Sequence, residues 1–290
     1  MSVADDLTRE SETVEPTFDV VHVERRALPK RVWVGGSIVL LYVLVAVFAP
    51  LLAPYDPLAL DIANALATPS PQHWLGTDEL GRDVLSRLIF AARVDLPVGF
   101  LGALLPAIAG TILGSLAAYH GGWRDAVVMR SADVVQAFPT YILIIALVFA
   151  FGQGIPTILI AFTIIAWVAY ARLIRSEVLR VRNLDYVQAA RAAGLPGRRI
   201  LWRHVFPNSV GQTLVYLPSD IVVATLGLAA LSYLGLGIPD PTPEWGAMIA
   251  SGQPYIRDQW WLSTVPGLVV VGLGLGLSFI GEGIEEWTRT

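Results

Sequence analysis

Few residues in this chain combine a reactive type with a spacing that could do chemistry. Asp78, Glu79, Arg82 and Asp83 crowd into one short stretch. Carboxylates so close together raise a metal or acid–base reading, but their spacing matches no ligand motif, and ion pairing within a helix is the expected use. The four histidines, His22, His73, His120 and His204, all fall outside the apolar stretches. An intramembrane hydrolase would therefore lack its base. There is no cysteine, which removes disulfides and thiolate metal sites. Lys30 is the only lysine, so neither a Walker A phosphate loop nor Schiff-base chemistry is available in the body of the chain. No catalytic or metal residue is assigned. Asp220 stands apart, about ten residues into an apolar stretch and so roughly 15 Å deep at the helical rise. An ionisable group at that depth marks a candidate translocation pathway. The other reading is that Ser219 and Asp220 cap a helix broken at Pro218, or that the span starts later, and both stand.

Composition sets the elements that must hold these residues. Hydrophobic residues make up 54% of the chain and charged ones 15%, with mean hydropathy +0.59. Soluble domains carry roughly 25% charge, so this is the composition of an integral membrane protein. The net charge of −4 is small and the basic residues are localised, so a nucleic-acid partner is not expected.

Residues 1–31 read as a cytoplasmic tail, ending in a basic anchor of Arg25, Arg26, Lys30 and Arg31 rather than a cleaved signal. Residues 32–53 give a first membrane span. Residues 54–94 read as an extracytoplasmic segment with an interfacial helix, because Val84, Leu85, Leu88, Ile89 and Ala92 recur at helical spacing. Residues 95–290 form a core domain with apolar stretches at 95–119, 127–151, 155–174, 209–237 and 262–281. The fold class is all-α, with six transmembrane helices. Pro106, Pro139 and Pro218 are expected to kink their helices, and Gly272, Gly274 and Gly276 to form a packing face. Between the spans, Arg172, Arg175, Arg180, Arg182, Arg191, Arg198, Arg199 and Arg203 face only Glu177 and Asp185. The positive-inside rule places that region in the cytoplasm, and counting spans outward places both termini inside and residues 238–261 outside.

Residues 185–208, within a polar loop 177–208, predict two short helices around a hinge. Asp185 is a candidate cap, with Gln188 reaching back as in a capping box. Ala189, Ala190, Ala192 and Ala193 leave a slim surface that another protein could approach. Gly194 supplies a left-handed stop, Pro196 opens the next helix and Pro207 ends it. Ile200, Leu201, His204 and Val205 share one face of that helix, while Arg198, Arg199 and Arg203 lie elsewhere.

This loop resembles the EAA loop of bacterial ABC importer permeases, with Gln188-Ala189-Ala190, then Gly194, then Pro207. It departs from the pattern at Gln188, where the family carries Glu, and at Phe206, where it carries Leu. The stretches 73–88, 138–143 and 230–249 are similar to the C-type permease subunit of the dipeptide, oligopeptide and nickel importer group. Two further departures are Leu228 in place of an acidic residue and the tail Gly281-Glu282-Gly283-Ile284-Glu285-Glu286. The resemblance implies a multi-pass permease of the prokaryotic inner membrane without cofactor of its own. Its implied partners are a homologous B-type permease, two cytoplasmic ATPases that bind the ATP, and an extracytoplasmic solute-binding protein. Residues Asp185, Gln188, Ala189, Ala190, Gly194, Arg198 and Pro207 would dock the ATPases. The implied cargo is a peptide, with nickel or another small solute as the alternative. An ion-driven secondary transporter would instead need paired intramembrane charges and inverted repeats, and the chain offers one candidate acid and no evident repeat.

Overall fold

The computed structural model describes residues 28–289. The tail expected over 1–31 lies, up to residue 27, outside the described residues. Among those described, every regular element is helical apart from an isolated bridge between Thr77 and Asp83. Helix α1 (Lys30–Val47) is followed directly by the single turn α2 (Ala49–Leu52). After a folded segment come α3 (Val84–His120), α4 (Gly122–Gln136), α5 (Thr140–Phe151) and α6 (Ile155–Val181). The loop region holds α7 (Asp185–Ala192), α8 (Gly197–Ile200) and α9 (Phe206–Ser209). The chain closes with α10 (Gly211–Tyr233), α11 (Trp245–Gly252) and α12 (Trp261–Arg289). Helices α1, α3, α6, α10 and α12 are each long and apolar enough to cross a membrane, and α4 with α5 would make a sixth, bent span.

The expected interfacial helix does not exist as a separate element. Residues 73–83 are non-helical, turns closed by the Thr77–Asp83 bridge, and Val84 begins a helix of 37 residues that runs on as the second span. At 1.5 Å per residue that is about 55 Å, well beyond the roughly 30 Å hydrocarbon thickness. Asp83 sets the start: its carboxylate accepts from the Ser86 backbone at 2.8 Å and hydroxyl at 2.7 Å, and His73 Nδ1 lies 2.8 Å from its other oxygen. Asp78 accepts from the Arg82 backbone at 2.9 Å and pairs with its Nε at 2.6 Å. The charges at 78–83 do pair, but in a turn, because Gly81 takes φ +75° and no helix can pass through it.

The stretch 127–151 is likewise not one helix. Its halves meet at 90° across Ala137-Phe138-Pro139, since proline disfavours helix at the residue before it. Arg130, Asp133 and Gln136 also make the first half polar. Arg175 holds that half against α6, with Nε 2.7 Å and Nη2 2.6 Å from the two oxygens of Asp125, and Arg172 adds a contact of 2.8 Å to Asp133. Pro106 and Pro218, by contrast, stand inside helices that continue past them.

Glycine decides where the long helices touch. On α3, a Cβ at Gly110 would enter the backbone of α6 at Trp167, and one at Gly114 would meet Ala171 and Ile174. Small residues spaced by whole turns let two backbones approach this closely. On α12, Gly272 and Gly276 face Tyr42 and Ile38 of α1, whereas Gly274 faces Val222 of α10. The expected single glycine face is therefore split, as a period of 3.6 requires.

The crossings alternate. Arg31 at the start of α1 pairs with Glu282 near the end of α12 at 2.8 Å, and Gly281 lies beside Pro218 and Ser219 of early α10. At the other end the segments 54–83 and 234–260 interlock. Gln259 Nε2 donates to the Leu66 carbonyl at 2.6 Å, Trp261 Nε1 to that of Leu75 at 3.1 Å, and Arg82 lies 3.4 Å from Asp240. Glu244 caps α11 by accepting from Gly246 and Ala247 at 2.8 and 2.7 Å, and Asp95 of α3 accepts from Trp245 at 3.1 Å.

Gly114→Val is expected to destabilise the fold by roughly 1–3 kcal/mol, the range for overpacking a close contact, and to lower the unfolding temperature of the purified chain. Gly211→Ala, where a Cβ meets nothing within 4 Å, serves as its control. Restoring alanine in a helix should leave stability unchanged or raise it by up to about 1 kcal/mol.

Candidate functional site

Two sites lie along the α3–α6 pair, one at its C-terminal end and one further in. The first is the loop after α6. Its first helix is not capped by Asp185: Leu184 occupies the cap without a side-chain bond, and Asp185 is the first helical residue. There its charge faces the positive helix end. Gln188 does not complete a capping box either, since its Nε2 donates to the Arg182 carbonyl at 3.1 Å, beyond the end of α6. A glutamate could not make that bond, having no donor when ionised.

Gly194 takes φ +76° as expected. Around it the Leu195 N–H reaches the Ala190 carbonyl at 3.2 Å and the Gly194 N–H reaches Arg191 at 2.9 Å. This is the paired bonding of a Schellman stop, and Leu195 packs with Ala190 in the same apolar cluster. Ala190 is thus half-buried against the bundle, while Ala189, Ala192 and Ala193 are exposed with Gln188 and Asp185.

Pro207 does not end the second helix. The chain stays helical from Gly197 to Ser209, with a π-turn over Leu201–Val205 between α8 and α9. Pro207 has no N–H and crowds the carbonyl four residues back, so a wider turn ahead of it lets the helix continue. That turn keeps Ile200, Leu201 and Val205 fully buried, with Val187, against Ile174, Val178 and Val181 of α6. Each such burial stabilises by roughly 1.5–3 kcal/mol. His204, expected on that face, is only half-buried. Arg182 adds a clamp by donating to the Ala118 carbonyl at 2.6 Å. Outward, Pro196, Arg198, Arg199, Trp202, Arg203 and Pro207 line an open groove, and these arginines have no ion-pair partner among the described residues.

The second site is a cavity of about 380 Å³ between α3, α5, α6 and α10. Asp220 is on its wall, 8% exposed. The capping alternative for Asp220 is overturned, because α10 runs unbroken through Pro218 and Ser219. Tyr170 of α6, fully buried, donates its hydroxyl to Asp220 Oδ2 at 3.0 Å, and the Tyr216 ring meets that of Tyr170 edge-on at 5.2 Å. Gly102 on α3 leaves room for Phe162 of α6 at the cavity wall. A charged carboxylate at mid-membrane costs about 2.5–3.5 kcal/mol by insertion scales, so its retention there needs a use. Sequence reasoning found Asp220 but not Tyr170 or Phe162. Nothing in one sequence pairs residue 170 with residue 220.

A family profile described as binding-protein-dependent transport system inner membrane component matches residues 110–290. A second, the N-terminal transmembrane domain of oligopeptide transport permease C, matches residues 30–69. A dipeptide transport system permease of Alkalihalophilus pseudofirmus is 37% identical over 253 residues, covering 87% of this chain and 83% of that protein. An oligopeptide transport system permease of Bacillus subtilis is 36% identical, covering 89% and 84%. A di/tripeptide permease of Pseudomonas aeruginosa is 39% identical, covering 87% and 86%. Among solved structures, an amino acid ABC transporter crystallised with histidines gives a TM-score of 0.53 at 14% identity, covering 71% of this chain and 94% of that one, a likeness of fold alone. An all-helical bundle with a polar loop welded to one end of its central helices, and these matches along its length, lead to one conclusion: the chain belongs to the multi-pass inner-membrane permease components of binding-protein-dependent ABC transport systems.

Proposed function

We propose that this chain is one membrane half of an ATP-driven importer of short peptides. It pairs with a homologous permease, and two ATPases dock from the cytoplasm while a solute-binding protein delivers cargo from outside. ATP is bound by the partners, and no cofactor is held by this chain. The observation that carries the reading is the loop: a Schellman-stopped helix exposes Gln188, Ala189 and Ala192, the following helix exposes Arg198 and Arg199, which have no ion-pair partner among the described residues, and the inner face is fixed to α6. An ATPase pressing on the outer face moves α6, and with α6 the wall of the cavity. The two halves then alternate the side to which their pathway opens, driven by differential affinity of the two states for ATP.

Peptide as cargo is supported by the relatives, named for dipeptides, di/tripeptides and oligopeptides. The termini and the loop are assigned to the cytoplasmic side and the interlocked segments 54–83 and 234–260 to the outside.

The docking role is tested at Gly194 and Ala189. No atom lies within 4 Å of a Cβ at Gly194, so Gly194→Val strains only the left-handed backbone, by about 1–2 kcal/mol. Normal membrane abundance with weakened ATPase pull-down and reduced uptake is the expected outcome. Ala189→Trp should act the same way by steric block, since Ala189 is exposed. Wild-type association in both variants would reduce residues 185–208 to a connecting hairpin. Orientation is tested by single cysteines in this cysteine-free chain. A cysteine replacing Ser70 or Thr242 should label with an impermeant thiol reagent on intact cells, and one replacing Arg198 only after permeabilisation.

A further inference from the structure

The cavity wall holds one carboxyl group, that of Asp220, and no cationic side chain pairs with it among the described residues. The wall is otherwise apolar, from Gly102, Ile144, Phe162, Ile165 and Val223, and its remaining polar side chains are the hydroxyl-bearing Thr140 and Tyr141. Among the described residues Asp220 has one hydrogen-bond partner, the Tyr170 hydroxyl on Oδ2, and no arginine, lysine or histidine pairs with it. Tyr170 is fully buried, so it fixes the carboxylate without neutralising it and leaves Oδ1 for a ligand. A second internal charge would have signalled a structural ion pair. A lone carboxylate on the wall of an apolar space of about 380 Å³ has instead the chemistry of a cation subsite.

We propose that Asp220 receives a primary ammonium group of the cargo as it passes the membrane, the aliphatic wall accepting the rest. This rests on the peptide-import reading above and names the part of the peptide that is read. A peptide supplies the group from its N-terminus or from a lysine side chain. A C-terminal carboxylate would be repelled at the same place, so the subsite also favours one orientation of the bound peptide.

The assembled transporter in proteoliposomes, with its binding protein loaded to equal extent, tests this through uptake per ATP hydrolysed. The probes are Ala-Ala-Ala, N-acetyl-Ala-Lys-Ala and N-acetyl-Ala-Ala-Ala, which carry an N-terminal ammonium, a side-chain ammonium and none. Asp220→Asn keeps an oxygen for Tyr170 and is expected to lower the yield about tenfold for the ammonium-bearing probes, the scale of a lost charge-assisted hydrogen bond. The third probe should be spared, and Asp220→Glu should restore the preference. A loss confined to the first probe assigns the N-terminus, and one confined to the second assigns lysine. An equal loss for all three probes, or no loss, overturns the subsite. So does a wild-type complex that carries all three with equal yield, a comparison that needs no variant to fold. A wild-type complex that carries none of them overturns the peptide reading itself, and the subsite with it.

Discussion

The close approach of α3 and α6 is the constraint on which the rest of the structure depends. Gly110 and Gly114 bring the backbones together where any side chain would collide with Trp167, Ala171 or Ile174. In lipid there is no hydrophobic drive between helices, so this surface complementarity must supply the cohesion. Cores packed at crystal-like density do not deform smoothly. A pair held in this way shifts as one body, and what is attached to one end is displaced with the other.

Both sites are attached to that pair. At one end Ala118 of α3 and Ile174, Val178 and Val181 of α6 receive the inner face of the loop. Further along the pair, Gly102, Phe162 and Ile165 form the cavity wall, and Tyr170 reaches from α6 to Asp220 on α10. The bent α4–α5 pair closes the cavity from a third side, and its polar half is tied to α6 through Asp125 and Arg175. The interlocked segments at the far end tie to one another through Arg82 and Asp240, to α3 through Asp95 and to α12 through Trp261.

The parts legible in the sequence were those with a local cause. Apolar length marks a span, so five of the crossings stand near where hydropathy places them. Gly194 was legible because a left-handed stop after an alanine-rich turn requires glycine. Asp220 stood out because a carboxylate interrupting an apolar run is visible locally, although only the structure separates a cavity wall from a helix cap. The features that escaped depend on distant or geometric causes. Hydropathy averages over the break at Pro139 and cannot see that α4 is a polar helix held by α6. Pro207 normally stops a helix, and only the burial of Leu201 and Val205 on α6 favours the π-turn that accommodates it. Asp185 is the first helical residue behind an uncapped Leu184, and Gln188 turns to the Arg182 carbonyl instead of closing a box; Leu228 is fully buried in the same apolar cluster as Phe162.

The central claim is that the loop and α6 move as one rigid unit. Spin labels at Arg198→Cys on the loop and Ile160→Cys, exposed near the opposite end of α6, measure it directly, because the chain has no native cysteine. Their distance distribution is expected to be the same in the nucleotide-free and the ATP-trapped transporter, even as the pathway changes the side it faces. A shift larger than the width of that distribution would show the loop sliding on α6, and would contradict the account.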